Sequence, residues 1–213
     1  MTDWQVPLPV LPEGLQAGTG TREGTVVPHA FDQSYWDEHW AGAAGHARLA
    51  PHPQLVEEAG KLPPGRALDA GCGEGNEARW LAEHGWQVTA VDLSEEVLRH
   101  ARERSSAVEW VCADLLEWTP DGQFDLVATH YVHAAGPLFE RLAEWVAPGG
   151  TLLVVGHHHG ELHPPESTIT VEDVGLDPAQ WVIAVAENRT RKVHGGELHD
   201  TILCARKVST PNA

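Results

Sequence analysis

Glycines cluster at one point of the sequence, where an apolar run meets the start of a helical pattern. The segment is Ala67-Leu68-Asp69-Ala70-Gly71-Cys72-Gly73-Glu74-Gly75, and Asn76 stands where a dinucleotide-binding fingerprint has its last glycine. Glycine lets the backbone approach a ligand closely, and the first N–H groups of a helix have no partner within it. The segment therefore predicts a turn that holds a nucleotide-like ligand, or a turn whose glycines serve its geometry alone.

Two carboxylates follow the next two apolar runs. Asp92 lies 21 positions after Gly71, at the end of a β-branched run, where a carboxylate can accept hydrogen bonds from both hydroxyls of a ribose. Asp114 follows the third run and can accept from the exocyclic amine of adenine, with Leu115 packed on the ring. Either acid alone is more often a helix cap or a loop residue. Their order at the ends of successive strands favours a nucleoside site.

Histidine is in excess, because the chain has 14, as many as its 14 lysines and arginines together. Six of them follow the predicted fourth and fifth strands: His130, His133, His157, His158, His159 and His163. A neutral imidazole with a pKa of about 6.5 can remove a proton near neutral pH, so we expect His133 or His157 to act as a base. His130 and His158 are expected to contact a substrate. The alternatives are ordinary loop residues or a metal site, but adjacent histidines do not match zinc spacings and no metal ligand is predicted.

The framework for these residues follows from alternating strand and helix signals. Strands are predicted at residues 66–70, 87–91, 108–112, 124–129 and 151–155, and helices at residues 53–61, 76–84, 94–104 and 138–146. This alternation predicts an α/β fold with a parallel sheet, whose ligands lie beyond the carboxyl ends of the strands. Two further strand-like runs, residues 181–187 and 198–205, flank a turn at Gly195-Gly196 and predict a C-terminal antiparallel hairpin.

The N-terminal part of the chain divides into two segments. Residues 1–30 have no sustained period and are predicted to form an irregular arm. Aromatic residues then recur at helical spacing, and residues 31–62 are interpreted as a helical lid. In that case Tyr35, Trp36 and Trp40 contact the substrate; in the alternative, their helix packs on the sheet as core. Residues 164–177 are a second candidate wall, with Thr170 as a cap, or else a packed connecting helix.

The charge balance narrows the possible partners. The 213 residues include 14 Lys and Arg against 31 Asp and Glu, a formal net charge of −17, which disfavours nucleic acid and anionic membrane surfaces. No apolar run approaches the roughly 20 residues of a membrane span, and the N-terminus lacks a signal-peptide pattern. Three cysteines without a Cys-x-x-Cys pair predict reduced thiols. We therefore expect a cytoplasmic protein with one domain over residues 31–213 that binds neither nucleic acid nor membrane.

Taken together, the motifs resemble those of class I S-adenosylmethionine-dependent methyltransferases over residues 51–207. The matching segments are residues 69–75, Asp92, Asp114-Leu115, residues 124–127 and residues 147–150. The resemblance implies a Rossmann-like, seven-stranded, mostly parallel sheet, with S-adenosyl-L-methionine as cofactor and S-adenosyl-L-homocysteine as product. In that family the glycine turn cradles the methionine part, and the two acids hold the ribose and the adenine. The implied cofactor-binding residues are Asp69, Gly71, Cys72, Gly73, Gly75, Asp92, Leu93, Asp114, Leu115 and Thr129.

The same resemblance implies a methyltransferase that acts on a small-molecule methyl acceptor. The chain is most similar to the thiol and tellurite-resistance type, which has an aromatic helix such as Tyr-Trp-Asp-Glu-His-Trp ahead of the domain. A thiol or other chalcogen is therefore the leading acceptor, followed by a hydroxyl or an amine of a metabolite. A monomer or homodimer is expected. Two other classes stay open: an NAD-dependent oxidoreductase, and a noncatalytic protein that binds a metal or ligand through its histidines.

Overall fold

The computed structural model describes residues 33–34, 36–37, 50–133, 137–158, 168–193 and 196–209. The predicted arm of residues 1–30 lies outside these ranges, as do Tyr35, Trp40, His159 and His163. Within them, no helix is long and apolar enough to cross a membrane.

The sheet has seven strands in the order β3-β2-β1-β4-β5-β7-β6. The strands are β1 (Arg66–Ala70), β2 (Gln87–Asp92), β3 (Glu109–Cys112), β4 (Phe124–His130), β5 (Val146–His157), β6 (Trp181–Val193) and β7 (Gly196–Lys207). Strands β1 to β5 are parallel where they pair, and β7 runs antiparallel to both β5 and β6. The predicted α/β fold, with a mostly parallel sheet and a C-terminal hairpin, is confirmed.

Several strand boundaries differ from the prediction, and the largest differences lie in β5 and in the hairpin. β5 begins at Val146 rather than at residue 151, because Val146 already pairs with Phe124 before an irregularity in the register. The helix predicted to continue through residue 146 accordingly ends at Glu144. In the hairpin, β6 continues to Val193 and β7 begins at Gly196. The second half of β6 is polar and lies at the edge of the sheet, so the apolar pattern did not reveal it.

In the described ranges from residue 50 onwards, one α-helix precedes β1, and three α-helices and one 3-10 turn lie between strands. They are α1 (Pro53–Ala59), α2 (Asn76–Glu83), α3 (Glu95–Arg104), α4 (Leu138–Glu144) and the 3-10 turn Glu172–Val174. Ser94 caps α3 as predicted, since its Oγ accepts from the backbone N–H of Val97 at 3.4 Å. Thr170 caps the 3-10 turn, since its Oγ1 accepts from the N–H of Asp173 at 3.3 Å. In the described part of the segment 164–177, this short turn stands in place of a longer connecting helix.

Apolar clusters cover both faces of the sheet, and β4 shows how they alternate. Leu126 and Ala128 enter the cluster formed with α1, α2 and α3, whereas Val127 enters the cluster formed with α4. A sheet covered on both faces leaves its strand ends as the place for a ligand.

Polar side chains continue the first of these faces towards the carboxyl ends of β4 and β5. His130 follows Leu126 and Ala128 at the same two-residue period, and His157 likewise follows Leu153 and Val155. Asp200 of β7 lies directly opposite His157 in the register. The fold therefore gathers a buried polar group at one end of the sheet.

Candidate active site

The glycine turn follows β1 and is tied to β2. The N–H groups of Gly71 and Cys72 both donate to the carbonyl of Val91, at 2.8 and 3.0 Å. Gly71, Gly73 and Gly75 all have positive φ, at 73°, 51° and 72°. A Cβ on Gly71 would lie 2.0 Å from Cγ2 of Val132. Backbone conformation and close packing thus both require glycine at position 71.

Asp92 lies against this turn from the end of β2. Its Oδ2 accepts from the N–H of Gly73 at 2.8 Å, and its Oδ1 accepts from the N–H of Ser94 at 3.0 Å. Burial raises the pKa of Asp92, while these backbone hydrogen bonds lower it. A carboxylate has about four acceptor positions, so capacity remains for ribose hydroxyls. The structure therefore brings the predicted ribose acid and the predicted glycine turn into direct contact.

Three buried polar atoms beside the turn have no hydrogen-bond partner in the described part of the chain. They are Oδ2 of Asp69, Oδ1 of Asn76 directly after the turn, and Oγ1 of Thr129, a residue that pairs with Ala70 directly before the turn. Burial raises the pKa of Asp69 well above its ordinary value, and the neighbouring charges of Glu77 and Asp92 raise it further. Unsatisfied buried polar groups are rare in proteins, and here they adjoin a glycine turn. The residues present fit a polar, nucleotide-like ligand.

The remaining predicted cofactor residues are Leu93, Asp114, Leu115 and Cys72. Asp114 lies after β3, where its Oδ1 accepts from the N–H of Leu116 at 2.8 Å and so fixes its own turn. Leu115 is buried in the second apolar cluster, and the carbonyl of Leu93 lies 3.6 Å from Sγ of Cys112. Cys72 is also buried, which raises the pKa of its thiol well above the ordinary value. Its neutral thiol can line a site but is a poor nucleophile.

A run of four rings crosses the ends of β4 and β5. Tyr131 stacks on His157 with ring centroids 4.4 Å apart, and His157 stacks on His133 at 5.9 Å. His133 in turn faces Trp36 at 6.1 Å, with the two ring planes within 7°. Three of these residues were predicted as site residues from the sequence, and the structure brings them together. Tyr131 was missed, although it lies inside the histidine segment and next to Val132, which packs on the glycine turn.

The backbone of Tyr131 is unusual. Its φ of 56° is the one positive value for a non-glycine residue in the described part of the chain. Such a conformation is strained for an aromatic residue and persists only where the surroundings hold it. The side chain supplies that hold through the stacking with His157 and through hydrogen bonds to the C-terminal hairpin.

These hydrogen bonds centre on Asp200. Its Oδ1 accepts from the hydroxyl of Tyr131 at 2.9 Å, and its Oδ2 accepts from Nε of Arg191 at 2.5 Å. His52, at the start of α1, places Nε2 3.1 Å from the same hydroxyl and 3.7 Å from Oδ2 of Asp200. Because Nδ1 of His52 accepts from the N–H of Gln54, a neutral ring carries its hydrogen on Nε2, towards Asp200. Burial raises the pKa of Asp200, but the hydrogen bonds from His52 and Arg191 outweigh it and hold the pKa at about 2.

Sequence reasoning missed this network, although β7 contains a signal for it. Asp200 falls in the same two-residue phase as Leu198, Ile202 and Cys204, all of which are buried. A charged residue in the buried phase of a strand requires a partner and is therefore a candidate for a role in a site.

The two remaining predicted histidines lie in different surroundings. Both ring nitrogens of His130 are buried without a hydrogen-bond partner among the described residues, and its ring lies 5.5 Å from that of His52. Burial lowers the pKa of His130 well below its ordinary value, so the imidazole is neutral. His158 instead contacts Oγ1 of Thr201 at 3.2 Å and lines a separate cavity of about 290 Å³ near Thr170. The structure therefore does not bring His158 into the run of rings.

The N-terminal helical residues reach two parts of the site. Trp36 faces His133, and Oδ1 of Asp37 accepts from the hydroxyl of Ser94 at 2.5 Å. Ser94 is also the residue whose N–H donates to Asp92. The lid interpretation of residues 31–62 stays a prediction, because residues 38–49 lie outside the described ranges. Among the described residues, no group of three or more His, Cys, Asp or Glu side chains could hold a metal ion.

The free energy of unfolding is expected to depend on pH through Asp200. Its pKa is about 2 in the folded protein and about 3.9 in an unfolded chain, so ionised Asp200 stabilises the fold by roughly 2 kcal/mol above pH 4. This stabilisation is lost as the pH falls from 4 towards 2. Urea unfolding of the unmodified protein and of Asp200→Asn between pH 5 and pH 2.5 measures it. The two curves should converge at low pH, and a difference that stays constant would contradict the assignment.

Comparison with known proteins gives a family for the part of the chain that contains the glycine turn, Asp92, Asp114 and Tyr131. A methyltransferase domain family matches residues 67–150. Malonyl-[acyl-carrier protein] O-methyltransferase of Enterobacter lignolyticus is 36% identical over 130 residues, 53% of this chain and 51% of that protein. Trans-aconitate 2-methyltransferase of Rhizobium meliloti is 35% identical over 113 residues, 50% of this chain and 44% of that protein. The chain thus spans about half the length of these curated relatives.

Solved structures share the fold at low sequence identity. One solved structure has a TM-score of 0.65 at 20% identity and covers 84% of this chain and 93% of that one. Its description is "Conversion of a Disulfide Bond into a Thioacetal Group during Echinomycin Biosynthesis". TehB from Haemophilus influenzae has a TM-score of 0.64 at 18% identity, covering 82% of this chain and 66% of that one. At these identities, the likeness concerns the fold alone.

Proposed function

Because the chain belongs to the class I S-adenosylmethionine-dependent methyltransferases, we propose that it transfers a methyl group from S-adenosylmethionine to a small-molecule acceptor. The observation that carries this proposal is the glycine turn held by Asp92, with the unsatisfied Asp69 and Thr129 beside it. Asp92 would hold the ribose, the turn would hold the methionine part, and Asp114 would hold the adenine. When bound, S-adenosylmethionine supplies a methyl group activated by a positively charged sulfur. S-adenosylhomocysteine is then the product.

The charge of the site suits a cationic ligand. Asp37 and Asp92 approach each other across Ser94, and the charge of Asp37 raises the pKa of Asp92. A positive charge nearby would relieve this repulsion, and the net charge of −17 adds a general attraction.

The acceptor site in this proposal is the run of rings beyond β4 and β5. Methyl transfer by in-line displacement needs the acceptor atom held close to the methyl group, and the side chains of Tyr131, His133 and Trp36 provide flat surfaces for this. Residues 31–62 would then act as a helical lid on one domain of residues 31–213, with Tyr35 and Trp40 at the acceptor. His130 would contact the acceptor from its buried position, whereas the location of His158 gives that prediction no support. A monomer or homodimer is sufficient for this arrangement.

A thiol or other chalcogen is the acceptor group we favour, ahead of a hydroxyl or an amine. The resemblance of the aromatic N-terminal segment supports it. Each of these acceptors loses a proton as the methyl group arrives, and His133 or His157 would accept it. Their stacked position at the strand ends supports this role. A fall of the transfer rate to background in His133→Ala or His157→Ala would support this role as a base, whereas unchanged rates in both variants would contradict it.

Two binding titrations and a transfer assay test the proposal. Calorimetry should detect binding of S-adenosylmethionine and S-adenosylhomocysteine, while NADH, the ligand of an oxidoreductase that shares the same strand and glycines, should not bind. A screen with a radiolabelled methyl donor across thiols, selenols, phenols and amines should then identify a labelled product. Absence of binding for both sulfur ligands defeats the proposal. Binding of zinc or nickel without any turnover would favour a noncatalytic protein instead.

A further inference from the structure

The guanidinium of Arg191 lies against the run of rings, at Tyr131. Its Cζ lies over the ring of Tyr131 at 5.8 Å, and its Nη2 donates to the hydroxyl of Tyr131 at 2.6 Å. Its Nε is bound to Asp200, which is 1% exposed, whereas the side chain of Arg191 is 24% exposed. A small molecule beside Tyr131 would therefore meet Arg191, whose Nε and Nη2 already hold Asp200 and Tyr131 and whose positive charge is already balanced by Asp200.

The other charges around this point also balance. Asp200 is ionised and neutralises Arg191, burial keeps Tyr131 in its neutral form by raising its pKa, and burial likewise keeps His130 neutral. Nε2 of His52 also lies beside Asp200, 3.7 Å from its Oδ2. Arg189, two residues before Arg191 on β6, is paired with Glu57 and Glu187 instead. In the described part of the acceptor side, each of these cationic groups thus has a carboxylate beside it.

This balance bears on which acceptors can bind. Two of the curated relatives carry the names of carboxylated compounds, malonyl and trans-aconitate. Proteins bind carboxylates chiefly through charge-assisted hydrogen bonds, often from both arms of an arginine. A carboxylate that bound Arg191 here would either share the guanidinium with Asp200, which places two negative charges side by side, or displace Asp200 and leave a buried ionised group without its partner. Both arrangements are costly.

We propose that Asp200 is a specificity-determining residue of the acceptor site. By neutralising Arg191, it disfavours acceptors that carry a carboxylate and favours uncharged aromatic or aliphatic thiols and phenols. The inference rests on the proposed function and narrows its substrate class. Asp200 acts through Arg191 and is therefore a positioning residue, not a group that reacts.

The test compares acceptors that share a reacting atom and differ by one carboxylate. Thiophenol is paired with 4-mercaptobenzoate, and catechol with 3,4-dihydroxybenzoate, and kcat/KM is measured from the S-adenosylhomocysteine released. The unmodified protein should prefer the uncharged member of each pair by at least about tenfold, the effect of one charge-assisted hydrogen bond. Asp200→Asn should lower that ratio by about tenfold, because Arg191 becomes available. Where turnover is too slow to follow, calorimetry of the same pairs into the S-adenosylhomocysteine complex should give the same order of affinities.

Two further variants separate specificity from structure. Adding Arg191→Gln to Asp200→Asn should restore the original ratio, because the released guanidinium is gone. Arg189→Gln removes an arginine of the same strand that does not touch Tyr131, and it should leave the ratio unchanged. A lower melting temperature for Asp200→Asn with an unchanged ratio would show a purely structural role and overturn the inference. So would a charged acceptor that equals its uncharged partner in the unmodified protein, or the failure of every uncharged acceptor to bind or react. If S-adenosylmethionine itself does not bind, the proposed function fails instead.

Discussion

Replacing Asp92 with alanine is expected to weaken the binding of S-adenosylmethionine by about 100-fold or more. The carboxylate would form two hydrogen bonds to the ribose, each worth about 1.5–3 kcal/mol, and it also holds the N–H of Gly73 in the glycine turn. Its loss removes the ribose contacts and releases the turn from the start of α3. Calorimetric titration of the variant with S-adenosylmethionine and S-adenosylhomocysteine measures the change.

Asp125 provides a matched control for this variant. Its carboxylate also accepts from a backbone N–H, that of Arg66 at 2.8 Å. Asp125 lies near the start of β4, however, and therefore at the opposite end of the strands from the proposed site. Asp125→Ala should therefore lower the free energy of unfolding by about 1 kcal/mol and leave ligand affinity unchanged. Equal losses of affinity in Asp92→Ala and Asp125→Ala would mean that the effect is one of stability, and a ribose role for Asp92 would be untenable.

The parts of the site that the sequence predicted are those built by neighbouring residues. The glycine turn, the cap at Ser94 and the position of Asp92 each depend on a few consecutive residues or on one strand and its turn, and local patterns report them. The parallel order of the first five strands follows from the same alternation of strands and helices.

The parts that were missed depend on contacts between distant segments. Tyr131 and Asp200 are 69 residues apart, and their hydrogen bond depends on the register of β5 against β7, which no local pattern specifies. The left-handed backbone of Tyr131 is equally hidden, because tyrosine and the valine after it both favour extended structure. The separation of His157 from His158 had a local cause, since consecutive residues at a strand end point to opposite faces.

Gly71→Ala is expected to destabilise the protein by about 3 kcal/mol and to abolish cofactor binding. An alanine at a φ of 73° costs about 1 kcal/mol in backbone strain, and its Cβ would lie 2.0 Å from Cγ2 of Val132, which costs about 2 kcal/mol more as the contact is relieved. Relief of that contact moves either the turn or the segment after β4, and both belong to the proposed binding site. Urea unfolding gives the stability and calorimetry gives the affinity.

Variants at Gly175 and Val132 separate the two causes of this effect, backbone strain and the contact with Val132. Gly175 also has a positive φ, 63°, but a Cβ there would meet no atom within 4 Å. Gly175→Ala should therefore cost only the strain, about 1 kcal/mol, and leave ligand binding intact. Val132→Ala combined with Gly71→Ala removes the colliding methyl group, so the two substitutions should be non-additive by about 1–2 kcal/mol. If Gly71→Ala is no more destabilising than Gly175→Ala, the turn tolerates a side chain against Val132, and close packing cannot be the reason for glycine at this position.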